Sequence, residues 1–139
     1  KVISSISDLT SGHFKETIDD NTVDPKKVKK VILCSGKIYY DLTAEKQNDH
    51  VAILRLEQLY PLPIHQLNVL KKKYNKAQWV WAQEEPENMG AWTHILRHLR
   101  DWNLTLISRP EGASTATGSS KVHTKSQLEL IKKALDNKS

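Results

Sequence analysis

Cys34 is the single cysteine among 139 residues, so no disulfide can form within the chain and a reducing compartment suits it. No apolar run approaches the roughly 20 residues that a bilayer-spanning helix needs. The first residues, Lys1-Val2-Ile3-Ser4-Ser5, lack the hydrophobic centre of a secretory leader. The apolar run 31–35 is followed by Ser35-Gly36-Lys37-Ile38-Tyr39, which holds one glycine rather than the G-x-G-x-x-G of a dinucleotide-binding turn. Bulky Ile38 and Tyr39 would also obstruct a close pyrophosphate. No internal repeat is present, and no spacing assembles a nucleophile–His–Asp triad.

What is present is a globular composition. Hydrophobic residues make up 38% of the chain, and its length suits one domain with a real core. The formal charge of +5 raises nucleic acid as a partner. The lysines, however, gather in Lys26-Lys27-Lys29-Lys30, ahead of an apolar run, and in Lys71-Lys72-Lys73-Lys76, at the end of a helical pattern where cations favour the dipole. Both groups read as solvated faces, and neither nucleic acid nor a membrane is an expected partner.

Residues 1–12 are rich in Ser and Thr and read as a linker or arm, with one domain over 13–139. Strands are expected near 14–18, 31–35, 51–56, 79–84 and 104–108, with boundaries good to about two to four residues. Helical spacing appears over 37–47, from Pro63 through Ile64, Leu67 and Leu70, and over 91–100 with Trp92, Ile95, Leu96 and Leu99 as its buried stripe. A last helix is expected to begin near Thr124, which stands three residues before Gln127 as in a capping box, with Leu128, Ile131 and Leu135 as its apolar face. Strand and helix alternate from residue 31 onward, which argues an α/β fold with a mainly parallel sheet.

The segment Trp79-Val80-Trp81-Ala82-Gln83-Glu84-Glu85-Pro86-Glu87-Asn88-Met89-Gly90-Ala91-Trp92 carries the densest information. It reads as a buried strand, an acidic loop and a helix start. Pro86 should stop the ladder and Gly90 should permit a close approach. Glu87 and Asn88 read either as helix caps or as part of a contact loop. Ligands in α/β sheets collect beyond the carboxyl ends of strands. His94 and His98 stand four apart, as metal ligands can, but no third ligand has a fixed local spacing, so no metal site is assigned. Cys34, in a hydrophobic run without an adjacent base, reads as a buried, inert thiol. Residues 114–120 form a small-residue loop that is either flexible or a backbone-rich docking or anion-holding surface.

Several long ordered motifs resemble one family. Val31 to Leu42, containing Cys34-Ser35-Gly36-Lys37-Ile38-Tyr39-Tyr40-Asp41-Leu42, is similar to its CSGKVYYDL signature; Arg55 to Pro63 to its R-[IL]-E-Q-L-Y-P-[FL]-P; Gln83-Glu84-Glu85-Pro86 with Asn88 and Gly90-Ala91-Trp92 to its Q-E-E-P-x-N-x-G-A-W. Arg109-Pro110, Gly118, Val122 and His123 match its last stretch, where Gly118-Ser119-Ser120-Lys121 departs from the commoner GYM and follows a GSSKVH variant. These are similar to the C-terminal domain of thiamine-diphosphate-dependent 2-oxoglutarate dehydrogenases, over about residues 6–136.

The resemblance implies a three-layer α/β/α domain like the transketolase C-terminal domain. Its mixed five-stranded sheet has order 1-3-2-4-5, with the first strand antiparallel. It implies a parent enzyme that decarboxylates 2-oxoglutarate and passes the succinyl group to lipoamide in the tricarboxylic acid cycle, in the bacterial cytoplasm or the mitochondrial matrix. The parent's thiamine diphosphate and magnesium are held through a Gly-Asp-Gly motif that this chain lacks, so the chain alone is expected to carry no cofactor, no catalytic residue and no activity. Implied partners are the other domains of the subunit, a second subunit, and the dihydrolipoyl succinyltransferase component. Glu85, Pro86, Asn88, Met89, Trp92 and His123 are the expected interface residues. With that strand order the crevice between the second and fourth strands is the topological switch point. Ser35, Lys37, Gln83 and Arg109 are then candidates for an effector such as acetyl-CoA or an adenine nucleotide, unless Lys37 pairs with Glu84 and Arg109 with a carboxylate as structural ion pairs. The same domain in a 2-oxoadipate dehydrogenase or a 2-oxoglutarate decarboxylase, or an autonomous effector-binding module, are the alternatives.

Overall fold

The computed structural model describes residues 6–136. Five strands, β1 (Thr17–Ile18), β2 (Lys30–Cys34), β3 (Val51–Leu56), β4 (Gln78–Pro86) and β5 (Thr105–Arg109), alternate with helices α2 (Ile38–Glu45), α3 (Ile64–Lys73), α4 (Trp92–His98) and α5 (Ser120–Leu135). A short helix, α1 (Ile6–Thr10), precedes them, and a 3-10 turn at Arg100–Trp102 follows α4. The sheet order is β1-β3-β2-β4-β5. β1 runs antiparallel to β3, and all other pairings are parallel, with Leu33 opposite both Leu54 and Trp81. The expected mixed α/β sheet, its order and its antiparallel first strand are thus observed.

Alternation along the central strands splits the core in two. Val31, Leu33, Ala52, Leu54, Leu56, Trp79 and Trp81 project to one face, where Leu67, Leu70 and Tyr74 of the α3 region and Ile95 and Leu99 of the α4 region close over them. Ile32, Cys34, Val51, Ile53, Val80, Ala82 and Ile107 project to the other, under Ile38 and Leu42 of α2 and Leu130, Ile131 and Ala134 of α5. Strands buried on both faces need apolar residues at every position, which is why β2 to β4 read as runs rather than alternations. Cys34 is wholly buried, and burial pushes its thiol up to about 12, so it is an inert core residue.

Several local expectations change. β1 is two residues, not five: Phe14 is exposed, and the chain reaches the sheet through Glu16 O, which accepts Glu57 N at 2.9 Å and Gln58 N at 3.1 Å. Pro86 does not stop the ladder. β4 continues to it because a bulge shifts the register from Ala82 opposite Ile107 to Pro86 opposite Arg109, and a bulge tolerates proline. Leu96 is exposed, since the short α4 buries only Ile95 and packs Trp92 partly. α5 starts one turn early, with His123 N bonded to Ser119 O at 2.9 Å, so Thr124 caps nothing and instead bonds Ser120 O at 3.0 Å within the helix. Its buried stripe is Gln127, Leu130, Ile131 and Ala134, which leaves Leu128 exposed.

The lysine groups are not uniformly solvated. Lys30 is buried and donates its Nζ to the carbonyls of Ala134 and Asp136, closing the end of α5; burial lowers its pKa, against the opposing pull of Asp136. Lys71 lies over the rings of Trp79 and Trp102, at 5.0 and 5.2 Å from their centroids.

Candidate functional site at the carboxyl ends of the central strands

β2 and β4 are neighbours, and their connections diverge to α2 on one face and α4 on the other, so their carboxyl ends frame the topological switch point. Two polar assemblies occupy it. The first is centred on Gln83, which is 3% exposed. Its Oε1 accepts Trp81 Nε1 at 2.9 Å and Trp92 N at 3.0 Å; its Nε2 donates to Pro86 O at 3.0 Å and Met89 O at 2.8 Å. One amide therefore spends all four of its hydrogen bonds on closing the loop from β4 to α4. Gly90 is required there: its φ is +68°, and a Cβ would stand 3.1 Å from the Gln83 amide.

The second assembly runs from α2 through β4 to α5. Lys37 Nζ donates to Asp41 Oδ2 at 2.8 Å and Glu84 Oε1 at 3.3 Å. Gln127 Nε2 donates to the same two oxygens, at 3.0 and 2.5 Å. Gln127 Oε1 faces the other way and accepts Arg109 Nη2 at 3.0 Å, and the same Nη2 lies 3.2 Å from His123 Nδ1. The amide is oriented by its neighbours, since a flipped Gln127 would turn its oxygen to two carboxylates and its NH2 to a guanidinium. Hydrogen bonding to Asp41 holds the Lys37 ammonium above its ordinary value. Burial pulls the Asp41 carboxyl upward, but hydrogen bonds from Lys37 and Gln127 outweigh it, and the group sits below its ordinary value.

Of the four residues expected to bind an effector, Gln83 is saturated within the chain, and Lys37 pairs with Glu84 as the alternative reading held. Ser35 is half-buried just beyond β2. Arg109 turns toward α5 and meets an amide oxygen and an imidazole nitrogen rather than a carboxylate. Of the six expected interface residues, Glu85 and Asn88 are exposed, Met89, Trp92 and His123 are half-buried, and Pro86 is buried. Asn88 exchanges two hydrogen bonds with the backbone of Gly112, each 3.1 Å. The rings of His94 and His98 lie 4.4 Å apart and are tilted by 45°, and they give Nε2 and Nδ1 to the carbonyls of Leu59 and His94, both at 2.9 Å. No three His, Cys, Asp or Glu among the described residues are grouped for a metal, and no helix among them is long and apolar enough to cross a membrane.

Gln127 was missed. Its signal was available in the spacing of Gln127, Leu130, Ile131 and Ala134, a buried helical stripe in which one position is polar. The motif residues also interlock. Arg55 donates to Tyr40 Oη at 2.6 Å, lies 4.7 Å over the Tyr39 ring and pairs with Glu57 at 2.8 Å. With Gly36 and Lys37, Tyr40, Arg55 and Glu57 line a cavity of about 340 Å³.

The fold is that of a three-layer α/β domain whose polar residues at the switch point are bound chiefly to one another. Residues 3–135 match the model of the family described as 2-oxoglutarate dehydrogenase C-terminal, and the chain belongs to that family. It is 47% identical to the 2-oxoglutarate dehydrogenase E1 component of Rickettsia typhi, over 88% of this chain and 14% of that protein. It is 40% identical to the oxoglutarate dehydrogenase of Buchnera aphidicola and to the 2-oxoglutarate dehydrogenase E1 component of Coxiella burnetii, in each case over 96% of this chain and 16% of the relative. The chain thus spans 14 to 16% of the length of these relatives.

Proposed function

We propose that the chain is the C-terminal scaffold domain of a 2-oxoglutarate dehydrogenase E1 subunit, whose parent decarboxylates 2-oxoglutarate with thiamine diphosphate and magnesium and feeds a dihydrolipoyl succinyltransferase. What supports the scaffold reading is the assembly itself. Every carboxylate at the switch point is engaged by Lys37 or Gln127, or stands exposed like Glu85 and Glu87, which leaves no convergent oxygen set of the kind magnesium demands. These residues do not fit magnesium, and no step of the reaction is assigned to them.

In the parent, Glu85, Asn88, Met89 and Trp92 offer the surface for a neighbouring domain or second subunit, because aromatic residues and methionine are favoured in interface cores. A phosphorylated effector of the parent, acetyl-CoA or an adenine nucleotide among them, would meet this domain at Lys37, whose exposed ammonium lines a cavity with Gly36 and Arg55, since the Gln83 amide is saturated within the chain. The test uses both molecules. The isolated chain, supplied with thiamine diphosphate, magnesium and 2-oxoglutarate, is expected to release no carbon dioxide. Trp92→Ala in the full-length enzyme is expected to weaken the dimer in sedimentation. Turnover by the chain alone, or an unchanged dimer, would count against the scaffold role.

A further inference from the structure

We propose that Arg109, His123 and the first turn of α5 form a binding site for an oxyanion, a phosphate or a carboxylate group. Arg109 is 9% exposed, yet among the described residues no carboxylate pairs with it. Its hydrogen-bond partners are an amide oxygen and an imidazole nitrogen, and its Nε is buried with no acceptor. A buried cation calls for a counter-charge, and an orphaned buried donor points to a group the chain does not itself supply.

The surroundings supply more donors. Arginine only donates, so the His123 Nδ1 facing it carries a lone pair and the ring proton stands on Nε2, which has no partner within the described chain. α5 is 16 residues long and its N-cap, Ser119, places no side-chain oxygen on the helix start. The amides of its first turn are therefore open to an external anion. His123 belongs to that turn, so guanidinium, imidazole and helix start are one side chain apart. Of the nearby carboxylates, Asp41 and Glu45 line one cavity with His123 and Gln127, and Asp41 and Glu84 are engaged by Lys37. The connection from β5 is built of small residues, and a Cβ at Gly118 would meet nothing within 4 Å.

This site is independent of the parent's reaction. The oxyanion has two sources, a free phosphorylated ligand or a carboxylate side chain from the remainder of a longer protein. Nitrogen-15 NMR of the chain separates them by following the Arg109 Nε–Hε resonance, assigned by its loss in Arg109→Lys, at constant pH and ionic strength. Inorganic phosphate is expected to shift it saturably, with half-saturation at about 1 to 10 mM, as befits a lone oxyanion. Saturation by phosphate and not by acetate assigns a phosphorylated ligand; saturation by acetate assigns a protein carboxylate. His123→Ala should weaken the binding at least about threefold, a loss of at least about 0.65 kcal/mol. A resonance that drifts linearly or stays still with both anions, or binding indifferent to His123→Ala, would overturn the site.

Discussion

The loops that leave β4 and β5 emerge from adjacent parallel strands at the same carboxyl end of the sheet, yet they are held in opposite ways. Residues 87–91 close around the buried Gln83 amide, which leaves none of its own hydrogen-bonding groups unpaired. Residues 110–119 touch the rest of the chain through Asn88 and Gly112, and otherwise bond locally, as Ser114 does to Ala116 and Thr117 to Ser119. The contrast teaches that the acidic, aromatic loop, which looks more chemically equipped, is consumed in holding itself. The plain small-residue loop is the one beside unspent donors.

The largest effect should come from cutting the knot. Gln83→Ala strands Trp81 Nε1, Trp92 N and two carbonyls, and is expected to cost about 3 kcal/mol in urea unfolding, because buried groups left unsatisfied cost about 1 to 3 kcal/mol each and part of that is recovered by water. A loss below 1 kcal/mol would show that the loop is held by packing instead. Paired glycine substitutions sharpen the contrast. Gly90→Ala, at positive φ and against Gln83, should lose about 1 to 2 kcal/mol, while Gly118→Ala in open space should stay within about 0.5 kcal/mol. Equal losses would erase the distinction.

A smaller effect should come from acid. The Asp41 carboxyl is held below its ordinary 3.8, so its contribution is full above that value and is lost as pH falls through the folded pKa. Between pH 5 and pH 3, hydrogen exchange corrected for intrinsic rates should accelerate in α5, which Gln127 ties to Asp41. The Gln83 bonds involve no titrating group. Protection that falls equally for residues 89–92 would contradict this.

The α/β alternation and the main strands were legible because each central strand is apolar on both faces and each helix carries its own period, whereas the three layers and the strand order came from the family resemblance and not from periodicity. Less legible was anything set by a single polar residue turned inward. Gln127, Lys30 and Lys71 look like surface residues by type, and only the packing of α5 and of the tryptophans reveals them as buried or stacked. The reach of β4 to Pro86 depended on a bulge, which leaves no periodic trace. Lys37 and Glu84 were recognisable as partners, whereas Arg109 was expected to face the crevice and instead faces α5, where it bonds Gln127 and His123.

All four tryptophans belong to one side of the sheet: Trp79 and Trp81 lie in the core under α3 and α4, and Trp92 and Trp102 pack against it. The opposite layer, beneath α2 and α5, has none. Intrinsic fluorescence excited at the indole band is therefore a one-sided optical probe. It reports the dissolution of the α3–α4 layer and is nearly silent about the layer that carries Arg109, whose detachment would show first in helical circular dichroism.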